Sequence, residues 1–142
     1  MSESGVPLSQ PLYGATFGQA VRRFFAKYAT ASGRASRSEY WWAVLAIALI
    51  QLVFTVLYFA AGGSSPAADG TVQLTPIAIV VISIWGVFSL AVIIPTIALT
   101  VRRLHDGNFS GWFYLLTLIG LSIVVFIFTL LPSNPAGARF DR

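Results

Sequence analysis

WWAVLAIALIQLVFTVLYFAA, residues 41–61, decides the fold, because it is apolar and uncharged over more than 20 residues. At 1.5 Å per residue a helix of that length reaches about 30 Å, the thickness of the hydrocarbon core of a bilayer. Two further runs share the property: IAIVVISIWGVFSLAVIIPTIALTV at 77–101 and WFYLLTLIGLSIVVFIFTLL at 112–131. None shows the period-2 alternation of a strand, and a transmembrane barrel would need many more segments than the chain can supply. The sequence therefore predicts an all-α polytopic membrane protein with three transmembrane helices near these positions.

Composition agrees. Of the 142 residues 56% are hydrophobic and 10% charged, against about a quarter charged in a soluble domain. A soluble bundle is excluded because three helices apolar all round would have nothing left to cover them. The chain has no cysteine, so disulfides and thiolate chemistry are absent. No basic n-region precedes the first run, which is too long for a signal-peptide core and is expected to stay as a signal anchor.

Residues 1–15, rich in Ser, Gly and Pro, are expected to be disordered. Residues 16–31 are expected to form an amphipathic interfacial helix, with Phe17, Val21, Phe24 and Tyr28 on one face, Phe25 at its edge and Arg22, Arg23 and Lys27 beside or opposite. The membrane domain then occupies 32–142, with a turn-rich loop at 62–76 that carries no chemistry.

Lys and Arg number five before the first run, none between the first and second, two between the second and third, and two in the tail. The positive-inside rule puts the N-terminus and the second connection in the cytoplasm of a bacterial inner membrane and Asp69 outside. Three full spans place the tail outside. Its arginines, Arg139 and Arg142, sit awkwardly there, and a re-entrant hairpin about Gly120 is the alternative.

Two polar stretches carry the remaining information: GRASRSEYWW at 33–42 and RRLHDGNFSGW at 102–112. In the first, Ser36 or Ser38 is placed to cap a helix, Glu39 sits in its first turn, and Tyr40, Trp41 and Trp42 form an interfacial anchor. In the second, Asp106, Gly107 and Asn108 make a turn, Ser110 or Asn108 caps the third run, and Trp112 is a further anchor.

These stretches, together with the apolar runs and a tail carrying Gly137, Arg139 and Phe140, resemble the bacterial membrane proteins grouped as domain-of-unknown-function family 805, over roughly residues 17–141. The usual Thr, Gly, Arg after the His-Asp pair is here Gly107, Asn108 and Phe109. Phe113 stands for the second aromatic of a Trp pair, Ile119 for a Pro and Ala138 for an Asn. The resemblance implies a small bacterial inner-membrane protein and brings no established activity.

An enzyme would have to use His105, the sole histidine, with Asp106 and Ser110. Sequence neighbours on a tight turn rarely align a base and its orienter on one nucleophile, and no G-x-S-x-G motif is present, so no catalytic residue is assigned. One His and scattered carboxylates supply no metal site, and no cofactor is expected. No Asp, Glu, Lys, Arg or His lies within the spans, which leaves Gln51, Thr55, Ser83, Ser89, Thr96 and Thr100 as polar candidates for a small oligomeric transporter or channel subunit, with Pro95 a possible kink. The basic surplus sits beside apolar spans, which excludes nucleic acid.

The favoured reading is a non-enzymatic membrane module. Arg34, Arg37, Arg102 and Arg103 would converge at the cytoplasmic interface and contact anionic lipid headgroups, each worth about 1 kcal/mol, or a partner protein or second copy. Glu39, His105, Asp106 and Ser110 would be motif residues, the two carboxylates holding some of the arginines, Glu39 with Arg102 in particular. In the competing reading the arginines only set topology and tie the two motifs together.

Overall fold

The computed structural model describes residues 5–141. Thr16 starts helix α1 (Phe17–Ala26) through a reciprocal capping box with Gln19. Ser36 starts α2 (Arg37–Ala60) in the same way: its hydroxyl accepts from Glu39 N at 3.2 Å while the Glu39 carboxylate accepts from Ser36 N at 2.8 Å. A two-residue antiparallel pair follows, β1 (Ser65–Pro66) with β2 (Val72–Gln73), and then α3 (Pro76–Asp106), a 3-10 helix (Gly111–Ile119), α4 (Ser122–Leu130) and a short 3-10 helix (Pro135–Phe140). The chain divides into two compact units, Leu45–Val92 and the segments before and after it.

Within Leu45–Val92, Gln51 joins the parts of α2 and α3 that belong to this unit. It accepts from the Trp85 indole N–H and donates to Ser89 Oγ at 3.4 Å. Phe54 stacks parallel to Trp85 at 6.3 Å. The aliphatic side chains instead face out: Leu52, Val53, Val56, Val87 and Leu90 are all more than half exposed. At about 25 cal/mol per Å² such an exterior is costly in water and favourable in hydrocarbon. Among the described residues α2 and α3 are the two helices long and apolar enough to cross a membrane. Between them, Asp69 accepts from Thr71 N at 3.0 Å and Thr71 Oγ1 at 2.7 Å, which holds its carboxyl below the usual range. Thr75 caps α3 by accepting from Ala78 N at 3.1 Å.

In the other unit the third apolar run departs from the expected span. A straight helix over 112–131 would hold its ends about 30 Å apart. Here Leu131 O accepts from Arg103 and Asn134 N donates to Asp106 O at 2.7 Å, so the run returns to the end of α3 beside which it begins. The turn is at Gly120 (φ +82°), which ends the 3-10 helix in a left-handed conformation open to glycine. Aromatic rings clip the arms together: Phe109 stacks on Phe128 at 4.4 Å, and Phe113 meets Phe128 edge-on at 5.6 Å. Three spans are thus corrected to two helices of spanning length and a hairpin.

Three further expectations change. Residues 5–15 are a packed strap with Leu12 and Ala15 buried, not a disordered tail; the expectation for residues 1–4 lies outside the described residues. The strap is held because Leu12 N donates to Glu39 at 2.9 Å and Ala15 N to Ser38 Oγ at 2.9 Å. α1 is shorter than 16–31 and turned differently: Ala20, Arg23, Phe24 and Lys27 face inward, while Phe17, Phe25 and Tyr28 are exposed. Finally, α3 does not stop at Val101 but continues through Pro95 and the whole of RRLHD to Asp106.

Candidate functional site

The polar motifs meet in the unit that holds both chain ends. Asp106, fully buried at the last turn of α3, gathers partners from every neighbouring segment: Arg103 Nη1 at 2.7 Å, Tyr13 Oη at 3.0 Å from the strap, Ser133 Oγ from beyond α4, and Arg34 Nη1 at 3.6 Å. Arg34 also forms a fork with Asp141, both bonds 2.7 Å, and that contact holds the Arg34 guanidinium above its usual value. Glu39 makes the second knot. It takes Leu12 N, Ser36 N and the Arg23 guanidinium, all buried.

Arg103 is fully buried and spends its donors on Asp106, on Ala35 O at 3.4 Å, on Thr129 O at 3.1 Å and on Leu131 O. The last two are terminal carbonyls of α4, so Arg103 caps that helix with a charge where its dipole favours a cation. Arg102, equally buried, is treated differently. Its Nε donates to Ala98 O one turn back at 3.2 Å, and its Nη2 has no hydrogen-bond partner among the described residues. Lys27 donates to Leu8 O at 2.7 Å and Ser32 O at 3.0 Å, and burial, with repulsion from Arg102 and Arg23, pushes its ammonium down from 10.5 to about 8.

This geometry corrects the expected lipid-facing group. Arg34, Arg102 and Arg103 point into the protein, and of the four only Arg37 is exposed. The expected Glu39–Arg102 ion pair is replaced by Glu39–Arg23, because α1 rather than α3 carries the guanidinium that reaches the carboxylate. Of the aromatic anchors, Tyr40 and Trp41 are half-buried, Trp41 lying edge-on to Phe126 at 5.9 Å, whereas Trp42 and Trp112 are exposed.

His105 and Asp106 serve separate partners. His105 Nδ1 lies 3.0 Å from Gly33 O, and its ring stacks at 4.0 Å on Phe140, over which the Arg139 guanidinium also lies, 4.6 Å from the ring centroid. Asp106 therefore does not orient the imidazole, and Ser110 instead caps the 3-10 helix through Trp112 N at 3.4 Å. Among the described residues no three metal-ligating side chains converge.

Glycines make the close approaches. A Cβ at Gly137 would run into the backbone carbonyl of His105, and one at Gly33 (φ +85°) would lie 2.6 Å from Ser9 O. Sequence reasoning missed Tyr13, Arg23, Lys27, Ser133 and Asp141 as partners. For two of them a signal existed: Ala20, Arg23, Phe24 and Lys27 follow the i, i+3, i+4, i+7 spacing of an inward stripe. Their charge hid it.

The chain is similar to proteins named inner membrane protein YhaH, from Escherichia coli strain K12 and from Escherichia coli O157:H7. Each is 29% identical over 110 residues, which cover 76% of this chain and 81% of the relative. No solved structure matches. A family model described as protein of unknown function (DUF805) matches residues 28–142, a range that takes in GRASRSE, RRLHD and the GARF turn and with them Glu39 and Asp106, the carboxylates at the centres of the two knots, and the chain belongs to that family.

Proposed function

We propose that this protein is a multi-pass inner-membrane, non-enzymatic module that crosses the bilayer twice and inserts the 111–131 hairpin part-way, with both termini cytoplasmic and outward-facing arginines against anionic headgroups. Nine residues of α4 rise about 14 Å, roughly half the hydrocarbon core. The hairpin tip suits that depth, since Leu118, Ile119 and Ile123 are exposed and apolar.

One observation carries the headgroup reading. In this unit, among the described residues, Glu39, Asp106 and Asp141 are each engaged by an arginine, whereas Arg37 and Arg139 are exposed. The outward charge is positive, and each such arginine is worth about 1 kcal/mol at an anionic surface. The internal arginines Arg23, Arg34 and Arg103 are scaffold.

Cysteines placed at Ala68 and Ala138 in this cysteine-free chain test the topology. A membrane-impermeant maleimide should label Ala68→Cys in spheroplasts and Ala138→Cys only after permeabilisation; labelling of Ala138→Cys from outside would refute the two-span reading. Purified Arg37→Gln/Arg139→Gln protein should carry several-fold less bulk anionic lipid than wild type, and equal lipid would refute the headgroup contact.

A further inference from the structure

Two clefts adjoin at the end of α3. Each encloses about 480 Å³, and they share His105, Ser110 and Phe140. They differ in chemistry. One is closed by Ser32 and Arg139 and is the more polar of the two. The other runs between Ile97 and Val101 of α3 and Trp112 and Leu115 of the 3-10 helix, and is apolar.

From this juxtaposition we propose a site for one anionic glycerophospholipid, its phosphodiester at Ser32, Ser110 and Arg139 and one acyl chain along Ile97, Val101 and Leu115. The proposal rests on the membrane reading above and names a single bound lipid where that reading has only a charged surface.

Several features fit that occupant. Direction is the first: from His105 to Ile97 is eight residues, about 12 Å along the helix, so the polar end sits at the end of α3 and the apolar arm follows the helix inward for most of one leaflet of a core about 30 Å thick. A lipid has the same polarity along the same axis. Charge is the second. Arg139 is exposed yet braced, because its guanidinium lies over Phe140 and Phe140 lies flat on His105, the rings 3° from parallel. The nearby carboxylates are turned away, Asp106 to Arg103 and Asp141 to Arg34, so nothing acidic lines the cleft to receive the ammonium of a zwitterionic lipid. Hydrogen bonding is the third. Ser110 Oγ accepts from Trp112 N, which leaves its O–H to donate to a phosphate oxygen.

The room for the chain depends on Gly111. A Cβ there would lie 2.6 Å from Val101 Cγ1 and 3.3 Å from His105 Nε2, so the glycine is what brings the 3-10 helix close enough to α3 to wall the apolar arm.

The test is native mass spectrometry of the full chain, delipidated in detergent and offered phosphatidylglycerol, phosphatidylethanolamine or phosphatidylcholine of one acyl composition. One phosphatidylglycerol should be retained, with about five- to tenfold preference over phosphatidylcholine. Arg139→Gln should abolish the preference while leaving weak retention. Leu115→Trp, which fills the apolar arm, should reduce retention of every lipid, and Arg37→Gln should change neither. Soluble glycerol phosphate should not compete; competition equal to that of the lipid would mean a headgroup site without a chain and would overturn the proposal. Unchanged retention in both Arg139→Gln and Leu115→Trp would overturn it as well. Arg139 is exposed, so that arm survives if Leu115→Trp fails to fold, and Ile97→Trp then repeats the apolar arm. Failure of the topology labelling would sink the two-span reading while leaving the count of bound lipid to stand or fall alone.

Discussion

Arg102 and Arg103 are neighbours in one motif, both buried, and replacing each by methionine should have opposite consequences. Arg103→Met removes the guanidinium that pairs with Asp106 at 2.7 Å and serves the carbonyls of Thr129, Leu131 and Ala35. Breaking a buried pair from one side costs about 3–5 kcal/mol, and each carbonyl left dry about 1–3 kcal/mol. These effects overlap, and Asp106 keeps Tyr13, Ser133 and Arg34. A net loss of about 4 kcal/mol is expected, on the order of 10 °C in melting temperature. Arg102→Met removes one bond, to a carbonyl of its own helix, and an Nη2 with no partner. Methionine relieves the desolvation of that charge, so the change should be neutral or stabilising by about 1–2 kcal/mol. Thermal unfolding of the two variants in the same detergent, followed by tryptophan fluorescence, measures the difference. Equal losses, or a larger loss for Arg102→Met, would refute the assignment of one arginine to the scaffold and the other to an uncompensated position.

Other outcomes follow from the same contacts. Glu39→Gln should destabilise by about 3 kcal/mol, since it leaves the buried Arg23 guanidinium without its counter-ion; adding Arg23→Met should recover part of the loss in the same melting assay. Gly137→Ala should cost more than Gly86→Ala, because a methyl at 137 meets the His105 carbonyl whereas one at 86 has, among the described residues, no atom within 4 Å beyond its chain neighbours and its own helix backbone; relative expression and melting temperature of the two compare them directly. Lys27 carries a pH dependence. Its pKa falls from 10.5 to about 8 on folding, so charging it costs about 3 kcal/mol in the folded state below pH 8. That cost is relieved as pH rises from 8 to 10.5, where the folded state is neutral and the unfolded chain still charged. Wild type should therefore gain stability relative to Lys27→Met between pH 7 and pH 10; a constant difference would show that Lys27 stays charged.

The sequence made the apolar runs legible because hydrophobicity acts over windows of 20 residues, and α2 and α3 lie where two of those runs lie. It failed at the third run for a local reason. Gly120 is one residue among twenty apolar ones, and only the tail shows that the chain returns: Asp141 pairs with Arg34, and Phe140 O accepts from Gly33 N at 2.8 Å. The awkwardly placed tail arginines were the legible trace of that return. The polar motifs were found, but their direction was not. Arg34, Arg37, Arg102 and Arg103 look alike as a positive-inside cluster, and the partners that separate them are mostly backbone carbonyls and residues distant in sequence, such as Asp141 and Thr129, which no spacing rule reaches.

That distinction bears on where function should be sought. Arg34 and Arg103 fit the positive-inside pattern and are also internal fasteners of the fold, whereas Arg37 is exposed and Arg102 is buried without a compensating partner; the two roles are compatible because a basic residue at the end of a helix disfavours the crossing of that end even when it is bonded inward. The family's usual arginine in the loop after the His-Asp pair is here Phe109, and its ring stacks on Phe128 and meets Phe113 edge-on at 5.9 Å. The position has gone to holding the hairpin closed, with aromatic pairs worth about 0.5–1.5 kcal/mol each. The loop thus contributes packing in this chain, and the cation that faces the cleft comes from the tail, at Arg139. Residues that tie the motifs together should govern folding when changed. Those left facing outward, Arg37 and Arg139 with the cleft walls Ile97 and Leu115, should govern what the protein binds.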